Sequence, residues 1–208
     1  MNNDLEQIEA YLSYGYTPFR KVQCVKRIIG AWVASAVLLV IGERSVAWAI
    51  PLGLCCLLIT ALFITLTVRH SKERLSRYLC DGVFSLYLAL LLDLAAYRIT
   101  VLQSGMSLLR AAGFVGLLLL SIAAWGLLVR KNIKSGRYSE AAKPQKVGAW
   151  AYIGGALGVL AAPVLLAGRD GLTIASVGLI FVSLLLSAGS LNLQRALLDI
   201  KMQRREPG

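Results

Sequence analysis

Few residues in this chain are of types that do chemistry, and one of them stands apart. Asp93 lies in the run LALLLDLAAY, with apolar residues on both sides. An ionised carboxylate at that depth in a bilayer costs about 3 kcal/mol or more. It must therefore face other helices, pair with a cation, or keep its proton. Such a group is what a proton or cation path needs. It is also what a structural polar contact between two helices looks like. Arg98 follows five positions later and Arg110 lies on the next apolar run. Both sit nearer the outer end of their runs, where an arginine side chain reaches toward water. Asp93, Arg98 and Arg110 form the candidate intramembrane polar site. Asp81, beside Cys80 and Gly82, reads as a hydrated charge at a helix end.

A second pairing is His70, the only histidine, with Cys80. An imidazole that activates a thiol makes a nucleophile, and one family of six-helix bacterial membrane peptidases uses a His and a Cys near such a loop. The surrounding RHSKERLSRYLC does not otherwise resemble that family. The four cysteines, Cys24, Cys55, Cys56 and Cys80, show no metal spacing and read as reduced apolar side chains. A single histidine excludes bis-histidine haem. No phosphate-binding GxxxxGK[ST], HExxH zinc or GxSxG nucleophile motif occurs. The sequence thus calls for no catalytic residue, no metal and no cofactor. Gly154 and Gly158 stand four apart, and Ser183, Ser187 and Ser190 share one face of the last run. Small residues at that spacing let helix backbones approach closely.

The elements that position these residues are long apolar runs. Of 208 residues, 57% are hydrophobic, above the share usual in soluble domains. The excess is gathered into segments separated by short basic stretches. The spacing predicts an all-α membrane protein of six transmembrane helices in three consecutive hairpins, over 28–68, 78–129 and 147–193. Within them the individual runs are 28–41, 47–68, 78–102, 107–129, 147–167 and 172–193. The first is short and must borrow flanking residues or sit where the bilayer thins. Residues 1–27 form a polar N-terminal segment and 194–208 a tail. Within the former, 4–14 reads as a short amphipathic helix, with Leu5, Ile8 and Leu12 at helical spacing. It suits a segment lying on lipid headgroups, or a solvated tail. The acidic start lacks the form of a cleavable signal peptide.

The net charge of +11 would suit nucleic acid. It lies between apolar runs, however, which points to membrane topology instead and to no nucleic-acid partner. Eighteen Lys and Arg fall before the first run, in 69–77, in 130–146 and in the tail, while Arg44, Arg98, Arg110 and Arg169 fall on the other side. The positive-inside rule puts the eighteen, and both termini, in the cytoplasm. The expected partners are the lipid bilayer, including anionic headgroups, and a further copy of the chain or another membrane protein.

Gly30-Ala31-Trp32 and Gly148-Ala149-Trp150 each follow a basic entry and stand 118 residues apart, two periods of about 59. This layout, and the Gly154-Gly155-Ala156-Leu157-Gly158 stretch ahead of Pro163, Gly178 and Gly189, resembles the HdeD-like small bacterial inner-membrane proteins. The resemblance covers Arg27 to about Ala196. It implies six helices as short-turn hairpins in a bacterial inner membrane and a link to acid-stress resistance. It carries over no catalytic residue.

Overall fold

The computed structural model describes residues 2–14, 21–40, 46–68, 73–105, 107–136, 138 and 171–203. Among them the chain is all-helical. In order the helices are α1 (Asn2–Ser13), α2 (Lys21–Val40), α3 (Val46–Val68), α4 (Glu73–Ser104), α5 (Leu108–Lys134), α6 (Gly171–Leu186) and α7 (Ser190–Gln203). A 3₁₀ turn, Ser187–Gly189, joins α6 to α7. Five stretches are long and apolar enough to cross a membrane: Lys21–Val40, Trp48–Val68, Arg74–Val101, Leu108–Lys134 and Gly171–Gln203. The expected run at 147–167, with Gly154 and Gly158, lies outside the described residues, as do His70, the 42–45 turn and Arg169.

The first expected run is extended in the direction it needed. α2 begins by Lys21 and takes in the basic entry through Arg27, so it reaches 20 residues. α4 likewise starts at Glu73, five residues ahead of its apolar run. Basic side chains at these ends need not break a helix, because their stems pack along it while their heads find anions or water. Gly105, with φ of 76°, closes α4 by donating its N–H to the Val101 carbonyl and so turns the chain toward α5.

α4 is the central helix. It packs most extensively against α6 and α7, then against α2, and less against its sequence neighbours α3 and α5. Two features allow the close approach to α6 and α7. Gly189 sits directly against the Ser85 side chain, where any Cβ would collide, and Leu193 lies against Gly82. α6 and α7 run antiparallel to α4: Leu193 meets Gly82, Gly189 meets Ser85, and Ser183 bonds to Ala89. The apolar core between α2, α3 and α4 includes Leu38, Leu52, Cys56, Phe63, Tyr87 and Leu91. Opposite faces leave leucines and valines bare, among them Leu58, Leu108, Leu109, Leu120 and Leu127. Apolar faces of this extent suit lipid rather than water.

α1 packs on the other helices and is not a solvated tail. It docks on the basic end of the bundle, against α5 and α7. Leu12 is 0% and Tyr11 1% exposed. Leu12 packs with Tyr78 and Ala196, while Ile8 covers their edge. The Tyr78 hydroxyl donates to the Leu12 carbonyl at the end of α1, and Arg74 reaches Glu9 at 2.8 Å. The amphipathic face predicted from Leu5, Ile8 and Leu12 is thus spent on protein.

Candidate functional site

Asp93 lies on α4 four residues beyond Ala89, on the side that meets α6. It is 5% exposed, and its Oδ1 is buried with no hydrogen-bond partner among the described residues. No ion pair joins it to Arg98 or Arg110 among those residues. The three members of the expected polar site are therefore not gathered into one.

Arg98 turns away, toward α2. Its Nη1 donates to the Leu38 carbonyl at 2.6 Å, and its guanidinium carbon lies 5.8 Å from the centre of the Trp48 ring. Leu38 is in the last turn of α2, where carbonyls lack a donor from their own helix and a cation is favoured by the helix dipole. Arg98 is 5% exposed, and these contacts contribute to making its burial tolerable. Arg110 is exposed and donates to the Gly105 carbonyl at 3.3 Å, across the turn before its own helix.

Two of the three serines singled out in the last run bond to the helices around them, while the buried Ser190 Oγ has no partner among the described residues. Ser183 is 0% exposed and donates to the Ala89 carbonyl of α4 at 2.9 Å. Ser187, also 0% exposed, shares a 2.7 Å hydrogen bond with Ser121 of α5 and donates to the Leu184 carbonyl at 2.6 Å. Trp125 of α5 donates to the same Leu184 carbonyl at 3.4 Å.

A polar cluster that the sequence reading missed joins α2, α3 and α4. The Ser35 hydroxyl bonds the Tyr87 hydroxyl at 2.6 Å, the Cys56 thiol at 3.1 Å and the Ala31 carbonyl at 2.7 Å. The Cys56 thiol is 3.3 Å from the Tyr87 hydroxyl. Each of these buried groups has a partner, as groups in a low-dielectric interior require. The available signal was a lone serine in the first apolar run and several hydroxyls and thiols in each of the next two. What was lacking was a way to know that Ser35, Cys56 and Tyr87 faced one another.

At the basic end two further groups converge. Cys24 of α2 and Cys80 of α4 are 1% and 0% exposed, and their sulfurs are 3.3 Å apart. Both thiols are free. One residue on, Asp81 is flanked by Arg27 of α2 and by Arg77, whose Nε lies 2.7 Å away. Its side chain is 20% exposed, so it is held in a pair of ion pairs rather than standing as a freely hydrated helix-end charge. The Cys80 thiol thus faces another thiol in the interior.

Above this layer, Arg195 of α7 stacks on Tyr11 at 4.7 Å and lies 5.7 Å from the Tyr78 ring. Tyr138 completes the aromatic group, 4.8 Å from Tyr11 and 5.4 Å from Tyr14. Burial pushes Tyr11 above the usual tyrosine range, and the nearby Arg195 charge opposes that without reversing it. No group of three or more metal-ligating side chains occurs among the described residues.

No family model, curated protein or solved structure matches the chain. The resemblance to the HdeD-like proteins therefore rests on the layout of the sequence alone.

Proposed function

We propose that this is a multi-pass protein of the bacterial cytoplasmic membrane, with six spans in three successive hairpins and both termini in the cytoplasm. Its role in this reading is non-enzymatic: structural, stress-related or interaction-based, exerted through lipid, a second copy of itself or another membrane protein. The observation that carries it is where the buried polar groups go. Ser35, Cys56 and Tyr87 bond one another, Ser183 and Ser187 bond neighbouring helices, and Arg98 binds the end of α2. Among the described residues these groups hold helices together. Three cavities, near Val129, Lys131 and Met202, are formed by the ends of α1, α4, α5 and α7 at the basic end, and none of these three reaches Asp93.

The described ends support the sixth crossing. α5 finishes at the basic end with Lys134, and α6, antiparallel to α4, begins at the opposite end with Gly171. In the six-span reading the segment between them supplies that crossing.

A second reading rests on the unpartnered Oδ1 of Asp93. A carboxyl kept in the bundle without a donor is where a proton or small cation would be held in a transport path. Reconstitution separates the two. Purified protein is placed in vesicles with a trapped pH dye, and a potassium diffusion potential is imposed. The non-enzymatic reading expects wild type and Asp93→Asn to match protein-free vesicles. Proton or cation flux in wild type that disappears in Asp93→Asn would overturn it and establish the transporter.

A further inference from the structure

The helix ends at the basic face enclose a groove with a mixed apolar and cationic lining. It has a volume of about 310 Å³ and is walled by α5, α7 and α1. Val129, Ile133, Leu197 and Leu198 supply apolar walls, and Ile8 closes one side. Arg130, Lys134 and Lys201 supply three cations, and no acidic side chain lines the groove. Two acids of α1 and α7 are engaged elsewhere: Glu9 pairs with Arg74, and Asp199 meets Arg74 at 3.9 Å and Gln203 at 3.1 Å. None of the three cations forms an ion pair among the described residues.

The order along the helices adds direction. Arg130 and Lys134 are one turn apart on α5, and Leu197 and Lys201 are one turn apart on α7. On each helix a lysine is therefore the outermost lining residue, and apolar side chains lie deeper. Leu197 is 61% exposed although it forms part of this wall. A ligand that matches has a negative head at the level of Lys134 and Lys201 and an apolar body running down past Leu197 and Val129.

We propose that this groove binds one anionic phospholipid, its phosphate held by Arg130, Lys134 and Lys201 and an acyl chain lying between α5 and α7. Charge complementarity carries the assignment. A free phosphate would satisfy the cations and leave the apolar walls bare, and a zwitterionic lipid would satisfy the walls and add an ammonium to a site already three charges positive. Each cation near a membrane surface favours an anionic lipid by about fivefold. The proposal rests on the bundle being membrane-embedded, which cysteine labelling in intact and opened cells tests separately.

The test uses the full chain in nonionic detergent, with lipid adducts counted by native mass spectrometry. Phosphatidylglycerol and phosphatidylcholine of matched chains are compared. Wild type is expected to hold one phosphatidylglycerol at least about fivefold more tightly than phosphatidylcholine. Arg130→Gln, Lys134→Gln and Lys201→Gln together should abolish the preference, and Lys134→Gln or Lys201→Gln alone should weaken it. Arg130→Lys, which keeps the charge, should retain it, as should the control pair Lys21→Gln and Lys26→Gln. Equal binding of the two lipids by wild type would overturn the proposal. So would a preference that survives the triple change, or one that the control pair removes equally. Displacement of the lipid by equimolar glycerol 3-phosphate would show that only the phosphate is recognised, and would overturn the lipid assignment.

Discussion

A guanidinium placed among apolar helices has to find oxygen, and the nearest supply is the end of a neighbouring helix. Arg98 finds it at the Leu38 carbonyl, 2.6 Å away, with the Trp48 ring beside it. A glutamine amide is too short to bring its donor to that last-turn carbonyl, so Arg98→Gln should lower stability by about 1–2 kcal/mol, with Arg98→Lys losing less. Unfolding of the detergent-solubilised protein reads this directly, and an unchanged midpoint in Arg98→Gln would refute the contact. Asp93 should respond in the opposite sense. Its Oδ1 has no partner among the described residues, so Asp93→Asn removes a costly charge and breaks no bond made to that oxygen. Stability should stay level or rise by up to about 1 kcal/mol. A loss of more than that would mean that the carboxylate is held by a group not among those described. Asp93 was legible from sequence because a charge in an apolar run is conspicuous. The role of Arg98 was not, because its acceptor is a backbone atom 60 residues earlier and carbonyls carry no sequence signature.

The helices themselves were read from the runs of apolar residues, and their pairing was not. Hydropathy treats a leucine facing lipid and a leucine facing protein alike, since the acyl chains are as apolar as the interior. α4 and α5 look similar as sequences, yet Ala89 and Ala96 of α4 are 0% exposed while Leu108 of α5 is 88% exposed. What marks α4 as central is its line of small residues, Gly82, Ser85 and Ala89, against which Leu193, Gly189 and Ser183 fit. Gly189→Val should therefore drive α6 and α7 off α4, because the added carbons occupy the space of the Ser85 side chain. The expected readout is loss of a monodisperse folded species. Ser183→Ala, which removes one hydrogen bond, should cost only about 0.6 kcal/mol. The register between α2 and α4 has its own reporter in Cys24 and Cys80. With sulfurs 3.3 Å apart, copper–phenanthroline with dissolved oxygen should take two electrons and two protons from the pair and close a disulfide. Thiol counting would show two fewer reactive thiols after denaturation, and Cys24→Ser would show no such loss. Equal thiol counts before and after oxidation of wild type would mean that α2 and α4 are offset from this register.

The whole molecule is constrained most tightly by parity. Five described stretches are long enough to span, and an odd number would leave the two termini on opposite sides. Among the described residues the contacts fix which end of each helix is where. Cys24 meets Cys80, Arg27 meets Asp81, and Tyr78 meets Leu12, so the starts of α2 and α4 share the basic end with α1. Ser121 meets Ser187 and Gln194 meets Gly126, so the end of α5 and the end of α7 lie there too. Gly171 is then at the opposite end, some twelve residues of helix away from Ser183. The sequence carries its own expectation in charge, eighteen of 22 Lys and Arg being assigned to one side by the positive-inside rule. It had no information on how the ends meet. In a background with Cys24, Cys55, Cys56 and Cys80 replaced by alanine, single cysteines at Ser107 and Leu172 should react with a membrane-impermeant maleimide in intact cells. Cysteines at Ser135 and Gln203 should react only after the membrane is opened. If Leu172→Cys and Ser135→Cys label from the same side, the stretch between them does not cross, and the chain has five spans rather than six. If all four patterns reverse together, the six-span bundle stands and the basic end faces outward, against the positive-inside rule.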